Sequence, residues 1–153
     1  MTKNINEAKW SKPDPRFIKI NVDATFYPDE GVGATTTIIR DDRGNFIGAQ
    51  CKFIPFAADI ITTEALAMRD GLVFANALGC NQVEAESDSL QLINFCNGQA
   101  TWWDVIFKHC YQSCNQAAHV LAYFCYCNKT SSSWLDESPD IVISKLVDDV
   151  NPF

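Results

Sequence analysis

Apolar and polar positions alternate from residue 18 onward, with Ile18, Ile20, Val22 and Ala24 separated by Lys19, Asn21 and Asp23. A period of two sends successive side chains to opposite faces and predicts a strand. Pro28-Asp29-Glu30-Gly31 reads as a turn, and Ala34 to Arg40, rich in β-branched Thr and Ile, as a second strand. Asp41-Asp42-Arg43-Gly44-Asn45 reads as a hairpin loop, with a third strand from Phe46 to Phe53. The period then lengthens. Ala65, Met68, Leu72 and Ala75 recur at helical spacing, and Leu66 and Val73 widen the stripe. Thr62 or Thr63 is a candidate N-cap of this helix, and Gly79 stands where it stops. A short strand, Gln82 to Glu86, leads into a helix from Asp88 to Cys96 that Asn97-Gly98 ends. A strand from Val105 to His109 and a helix from Asn115 to Cys125 complete the pattern βββ–α–β–α–β–α. Residues 87–104 join the last two strands, which is room for a parallel crossover with one helix.

Residues 1–16, with Pro13 and Pro15, read as a lead-in or linker. Residues 17–128 form the domain, and 129–153 a C-terminal tail. In that tail Ile141, Val142, Ile143, Leu146 and Val147 suggest a short amphipathic element docked on the domain. A chain of 153 residues fits one domain. Its 47% hydrophobic content supports one core, and 20% charged residues is too few for a disordered chain. No apolar run approaches the roughly 18 residues of a membrane span. The polar N-terminus carries no signal-peptide core. Seven cysteines, an odd number, then read as reduced thiols of an intracellular, non-secreted protein. Monomer is the default expectation. The net charge of −7 argues against a protein that coats nucleic acid through Lys and Arg. It does not argue against a site that is itself acidic.

Three carboxylates stand where elements begin or end. Asp23 lies near the end of the first strand, Glu64 in the first turn of the first helix, and Asp88 where the fourth strand meets its helix. Parallel first and fourth strands would bring their ends together, where α/β sheets place their sites. Two carboxylates ~4 Å apart repel by about 4 kcal/mol at an effective dielectric of ~20, so such a cluster takes up protons or a cation. All-oxygen ligands suit Mg²⁺ or Mn²⁺ rather than zinc. The competing reading is that Glu in a first turn only serves the helix dipole. His109, Cys110, Cys114 and His119 include zinc-type ligands, but their spacing departs from paired Cys followed by paired His. Burial as small apolar residues accounts equally for the cysteines.

Asn21-Val22-Asp23-Ala24, Arg40-Asp41-Asp42-Arg43-Gly44, Thr63-Glu64-Ala65-Leu66-Ala67, Glu86-Ser87-Asp88-Ser89 and Asn115 to Ala122 occur in an order that resembles the plant RNase H-like family, also described as reverse-transcriptase-like, type-1 RNase H domains. Trp10 and Lys12-Pro13 resemble the usual lead-in, so the likeness covers residues 10–126. It implies an α/β ribonuclease H-like fold: a five-stranded mixed sheet of order 3-2-1-4-5 with helices on both faces. It implies an endonuclease that hydrolyses the RNA strand of RNA–DNA hybrids with two Mg²⁺ (or Mn²⁺) ions. Asp23, Glu64 and Asp88 would be the metal ligands. Asp23 would be shared by both ions, Glu64 would help place the RNA 2′-hydroxyl, and Asp88 would orient the ion of the attacking water. His119 would complete the catalytic set, and His109 would be an auxiliary residue, since active relatives keep a mobile histidine at a similar offset. A strand-end packing role is the other reading of His109.

Three departures set the limits of that likeness. His119 stands where active enzymes carry a fourth Asp, and imidazole is a poorer Mg²⁺ ligand than carboxylate. The 87–104 crossover is short, since relatives usually place another helix before the last strand. Its loss would uncover core or demand repacking, and Trp102 and Trp103 are candidates to patch that surface. Gln112 stands where relatives usually have Arg. The alternative to hydrolysis is therefore a non-catalytic nucleic-acid-binding module, or a degenerate transposon-derived one. In either case binding to the hybrid is expected to be weak.

Overall fold

The structure, a computed structural model, describes residues 8–99 and 104–151. Trp102 and Trp103 lie outside the described residues. The first three strands, β1 (Ile18–Tyr27), β2 (Val32–Arg40) and β3 (Phe46–Ile54), form the antiparallel meander that the alternation predicts. They are followed by α1 (Ile60–Ala77), β4 (Gln82–Ser87), α2 (Leu90–Asn97), β5 (Asp104–His109) and α3 (Gln116–Asn128). β1 pairs parallel with β4, and β4 parallel with β5. The sheet order is β5-β4-β1-β2-β3-β6, the expected five strands extended by β6 (Ser132–Leu135). β6 pairs antiparallel with β3, Ala49 opposite Trp134. It is followed by α4 (Ile143–Val150), preceded by the fully buried Val142.

Helices cover both faces. Ile20, Val22 and Ala24 of β1 join Val83 and Ala85 of β4 against α1 and α2, through Ala67, Met68, Ala75, Leu92 and Ile93. Ala34, Ile38, Ala49 and Cys51 pack on the other face against Ala117, Ala118, Leu121 and Cys125 of α3, with Val142. α1 comes very close to the sheet at Gly71. A Cβ there would stand 2.8 Å from Val22 Cγ1 and 3.0 Å from Thr37 Oγ1, so only glycine fits that approach.

Local chemistry moves some boundaries. The cap of α1 is Asp59, not Thr62 or Thr63: its side chain accepts from the Thr62 N–H at 2.7 Å. Thr63 turns inward, is buried, and donates its hydroxyl to the Asp59 carbonyl. Asp88 precedes α2 instead of opening it, because Ser89 takes the cap by accepting from the Leu92 N–H. The short crossover is closed by α2 itself. Leu92 and Ile93 are buried beneath it, and Val105 and Phe107 of β5 pack on the same cluster.

The polar half of the β1 alternation is not a solvated face. Lys19, Asn21 and Asp23 are all buried. Lys19 pairs with Glu84 and Glu86 of β4, and Trp10 donates its indole N–H to Asn21 Oδ1 at 2.9 Å. Buried Arg40 stacks 4.1 Å from the Trp10 ring and pairs with Asp149 of α4 at 2.6 Å. Trp10 of the lead-in and Asp149 of the tail thus both pack on the sheet.

Candidate active site

β1 and β4 pair only as far as Asn21 opposite Glu86. Asp23 lies two residues further along β1, where the two neighbouring strands lead away to different elements. This divergence is the crevice that α/β folds use for sites. Asp88 sits just past the end of β4. The turn that holds it is fixed by the Ser89 N–H donating to Ser87 Oγ at 3.1 Å. Glu64 is brought to the same place by the packing of α1 on β1, with Ala67 and Met68 locked in the core one turn later.

The result is a three-carboxylate cluster. Ligand oxygens of Asp23, Glu64 and Asp88 lie within 4.8 Å of one another. Asp23 and Glu64 are 3% and 6% exposed, and Asp88 is half-buried. Burial, reinforced by the Asp23 and Asp88 charges, pushes the Glu64 carboxyl up to about 9. Burial and the Asp23 charge push Asp88 up to about 6. Glu64 Oε2 is buried without a hydrogen-bond partner, so part of the cluster's polar valence is unmet within the chain. An all-oxygen, mutually repelling set with an orphaned carboxylate oxygen fits a hard divalent cation. Among the described residues no group of three His, Cys, Asp or Glu side chains other than this one comes within ligating distance. The zinc reading of His109, Cys110, Cys114 and His119 therefore finds no support, and all seven cysteines are free.

α3 carries His119 to the cluster. Asn115, buried just before the first turn, donates through Nδ2 to the Val22 carbonyl at 2.9 Å, which ties α3 to β1 beside Asp23. The His119 N–H then donates to the Asn115 carbonyl at 3.0 Å. His119 Nδ1 lies 3.1 Å from Asp23 Oδ2. That hydrogen bond, and behind it the Asp23 and Asp88 charges, raises the imidazole above its ordinary value against an opposing burial effect. His109, the last residue of β5, donates through Nε2 to the Asp88 carbonyl at 3.2 Å and stands edge-on to Tyr111. It is a strand-end residue beside the cluster, not one on a free loop. Gln112 lies exposed in the 3₁₀ turn Gln112–Cys114.

Sequence reasoning missed Asn115 as the clamp and the Lys19–Glu84–Glu86 layer beneath the site. The one available signal was register: Lys19 and Glu84 are Cα partners across β1 and β4, which is legible once the two strands are taken as parallel neighbours.

Residues 21–102, more than half of the chain, match the reverse transcriptase-like family. No curated protein sequence matches the chain. Among solved structures, an N-terminal RNase H domain from Mycobacterium tuberculosis, determined as a fusion with maltose binding protein, aligns with a TM-score of 0.64 at 15% identity, over 72% of this chain and 94% of that one. RNase H1 from the halophilic archaeon Halobacterium salinarum aligns with a TM-score of 0.63 at 17% identity, over 74% and 98%. An RNase H1 isolated from compost by a metagenomic approach gives 0.62 at 17% identity, over 74% and 98%. At these identities the structures speak for the fold, which is ribonuclease H-like. The family match runs from Asn21 within β1 through α2, including all three carboxylates, and on that match the chain belongs to the reverse transcriptase-like family.

Proposed function

We propose that this chain is a type-1-like RNase H domain that hydrolyses the RNA strand of an RNA–DNA hybrid with divalent cations. The observation that carries the reading is the convergence of buried Asp23 and Glu64 and half-buried Asp88 at the crevice between β1 and β4, with Glu64 Oε2 left without a partner. These three residues would hold Mg²⁺ or Mn²⁺, in the family's manner two ions. Bound there, the cations would lower the pKa of a water and neutralise charge on the leaving oxygen. Asp23, fixed in mid-strand, would offer its carboxylate in a position set by the sheet. Glu64 would give up the proton its burial otherwise retains. Asp88, half-buried at the mouth, would face the water side, and His119 would hold Asp23 Oδ2 through Nδ1. An intracellular setting agrees with seven free thiols. No helix among the described residues is long and apolar enough to cross a membrane. On this reading the chain divides into a lead-in (1–16), an RNase H-like domain (17–128) and a tail (129–153), with Trp10 and Asp149 of the flanks held by Asn21 and Arg40 of the sheet.

One observation favours a second reading, a binding module without cleavage. His119 Nδ1 holds one of the two Asp23 carboxylate oxygens and brings no fourth carboxylate. A metal titration of cleavage in the wild type beside His119→Asp separates the two. Under the first reading the wild type cuts, with a preference for Mn²⁺. His119→Asp then gains about 10–100-fold at limiting metal. Binding of the hybrid with no cleavage by either protein would favour the second.

A further inference from the structure

We propose that the outer edge of β5 is a self-pairing surface, on which a second copy of this chain adds antiparallel to continue the sheet. Among the described residues the sheet ends at β5, and all six residues, Asp104 to His109, are in unbroken register with β4. The opposite edge is blunted. β6 has four residues, and the chain leaves it through Asp136 in a left-handed conformation, φ 66°. β5 has neither a bulge nor a proline, two of the devices that keep sheet edges apart.

A lysine on an edge normally opposes pairing, and β5 carries Lys108. Its placement reverses that effect in one register. Asp104 and Lys108 lie two residues to either side of Ile106, on the same face of the strand as one another. With a two-fold axis through Ile106, Asp104 stands opposite the second copy's Lys108, and Lys108 opposite the second copy's Asp104. Ile106 meets its own equivalent on that face, and Val105 meets Phe107 on the other. Opposite charges directly across a ladder attract, and like charges repel. Neighbouring registers move Lys108 off Asp104, so the charges select this one. The side chains are available: Asp104 is exposed, Ile106 is 39% exposed and Lys108 is half-exposed. The outward Phe107 carbonyl accepts from Asn97 Nδ2 at 3.5 Å and would exchange that bond for the pairing. Lys108 already pairs with Glu84 of β4, so its ammonium would lie between two carboxylates in the paired sheet. Such a contact is isologous and closes at two copies. It neither requires nor affects the proposed hydrolysis.

Sedimentation velocity over a rising concentration series tests this, with Asp104→Lys and Lys108→Glu as variants. The wild type is expected to pass from monomer to dimer. Each single variant faces like charges across the axis and is expected to stay monomeric. An equimolar mixture of the two variants restores both opposite-charge pairs and is expected to dimerise. Asp104→Lys leaves the Lys108–Glu84 pair in place, so its thermal unfolding should match the wild type and show that lost association is not lost folding. A wild type that remains monomeric at every concentration overturns the proposal. So does a dimer that neither substitution weakens, or a mixture of two folded variants that does not associate.

Discussion

Glu64 shows most directly what the acidic cluster costs. Its folded-state proton is held up to about 9, well above the ordinary value of 4.5. Between those values the folded, cation-free chain keeps a proton that the unfolded chain has released. This contribution to stability is complete below the ordinary value and is lost as pH rises toward 9. Asp88, raised to about 6, acts with the same sign over a lower window, and His119, raised from its ordinary value of 6.5 by its hydrogen bond to Asp23, acts with the same sign. Glu64→Gln removes the largest of the three. In cation-free buffer it is expected to raise Tm by a few degrees at about pH 8 and to change little at about pH 4.5. Thermal unfolding at the two pH values checks it, and equal shifts at both would contradict the assignment. Glu64 and Asp88 were legible in the sequence because each sits where an element begins or ends, whereas Asp23, expected near a strand end, lies in the middle of β1, which runs on to Tyr27 in pairing with β2. The contact of His119 with Asp23 was not legible, since the sequence places the histidine on a helix but does not aim Nδ1.

The elements themselves followed from periodicity, except where tertiary context overrode composition. The tail passes through the Ser-rich stretch Ser131-Ser132-Ser133, which carries no strand signal in the sequence. Residues 132–135 become a strand only because the outer edge of β3 offers partners, a context that strand propensity does not contain. The α1 cap was misplaced by three or four residues because Thr63 spends its hydroxyl on the Asp59 carbonyl inside the fold. Gly71, unremarkable in sequence, sets the distance between α1 and β1. Gly71→Ala puts a methyl 2.8 Å from Val22 Cγ1, and its overpacking is expected to cost about 1–3 kcal/mol despite the better helix propensity of Ala. A loss of roughly 2–10 °C in Tm by calorimetry is the expected outcome. An increase would mean that α1 has slack over the sheet. Because α1 also carries Glu64, the same variant should lower cleavage more than its loss of folded protein accounts for.

At the scale of the whole molecule, the net charge of −7 separates catalysis from affinity. Cations at the cluster would make its mouth attractive to phosphate, while the rest of the surface supplies few Lys and Arg for backbone contacts. Of the cations near the sheet, Lys19 and Arg40 are buried and committed to carboxylates. Binding of a hybrid to the uncleaving Asp23→Asn variant, followed by fluorescence anisotropy, is therefore expected to be weak. Its log K should fall with log salt with a slope of about −3 or shallower. A steep slope would reveal a basic surface that neither the sequence nor the fold displays. Magnesium should raise the Tm of the wild type more at about pH 8 than at about pH 5, since cation and proton compete for the same oxygens.

The central claim, that Asp23, Glu64 and Asp88 form a cation-dependent site for cutting RNA, is tested most directly by a hybrid labelled on both strands and incubated with Mg²⁺ or Mn²⁺. The expected result is nicking of the RNA strand alone by the wild type, abolished by Asp23→Asn and by chelation of the metal. An intact hybrid under both metals, or cutting that survives Asp23→Asn, would contradict it.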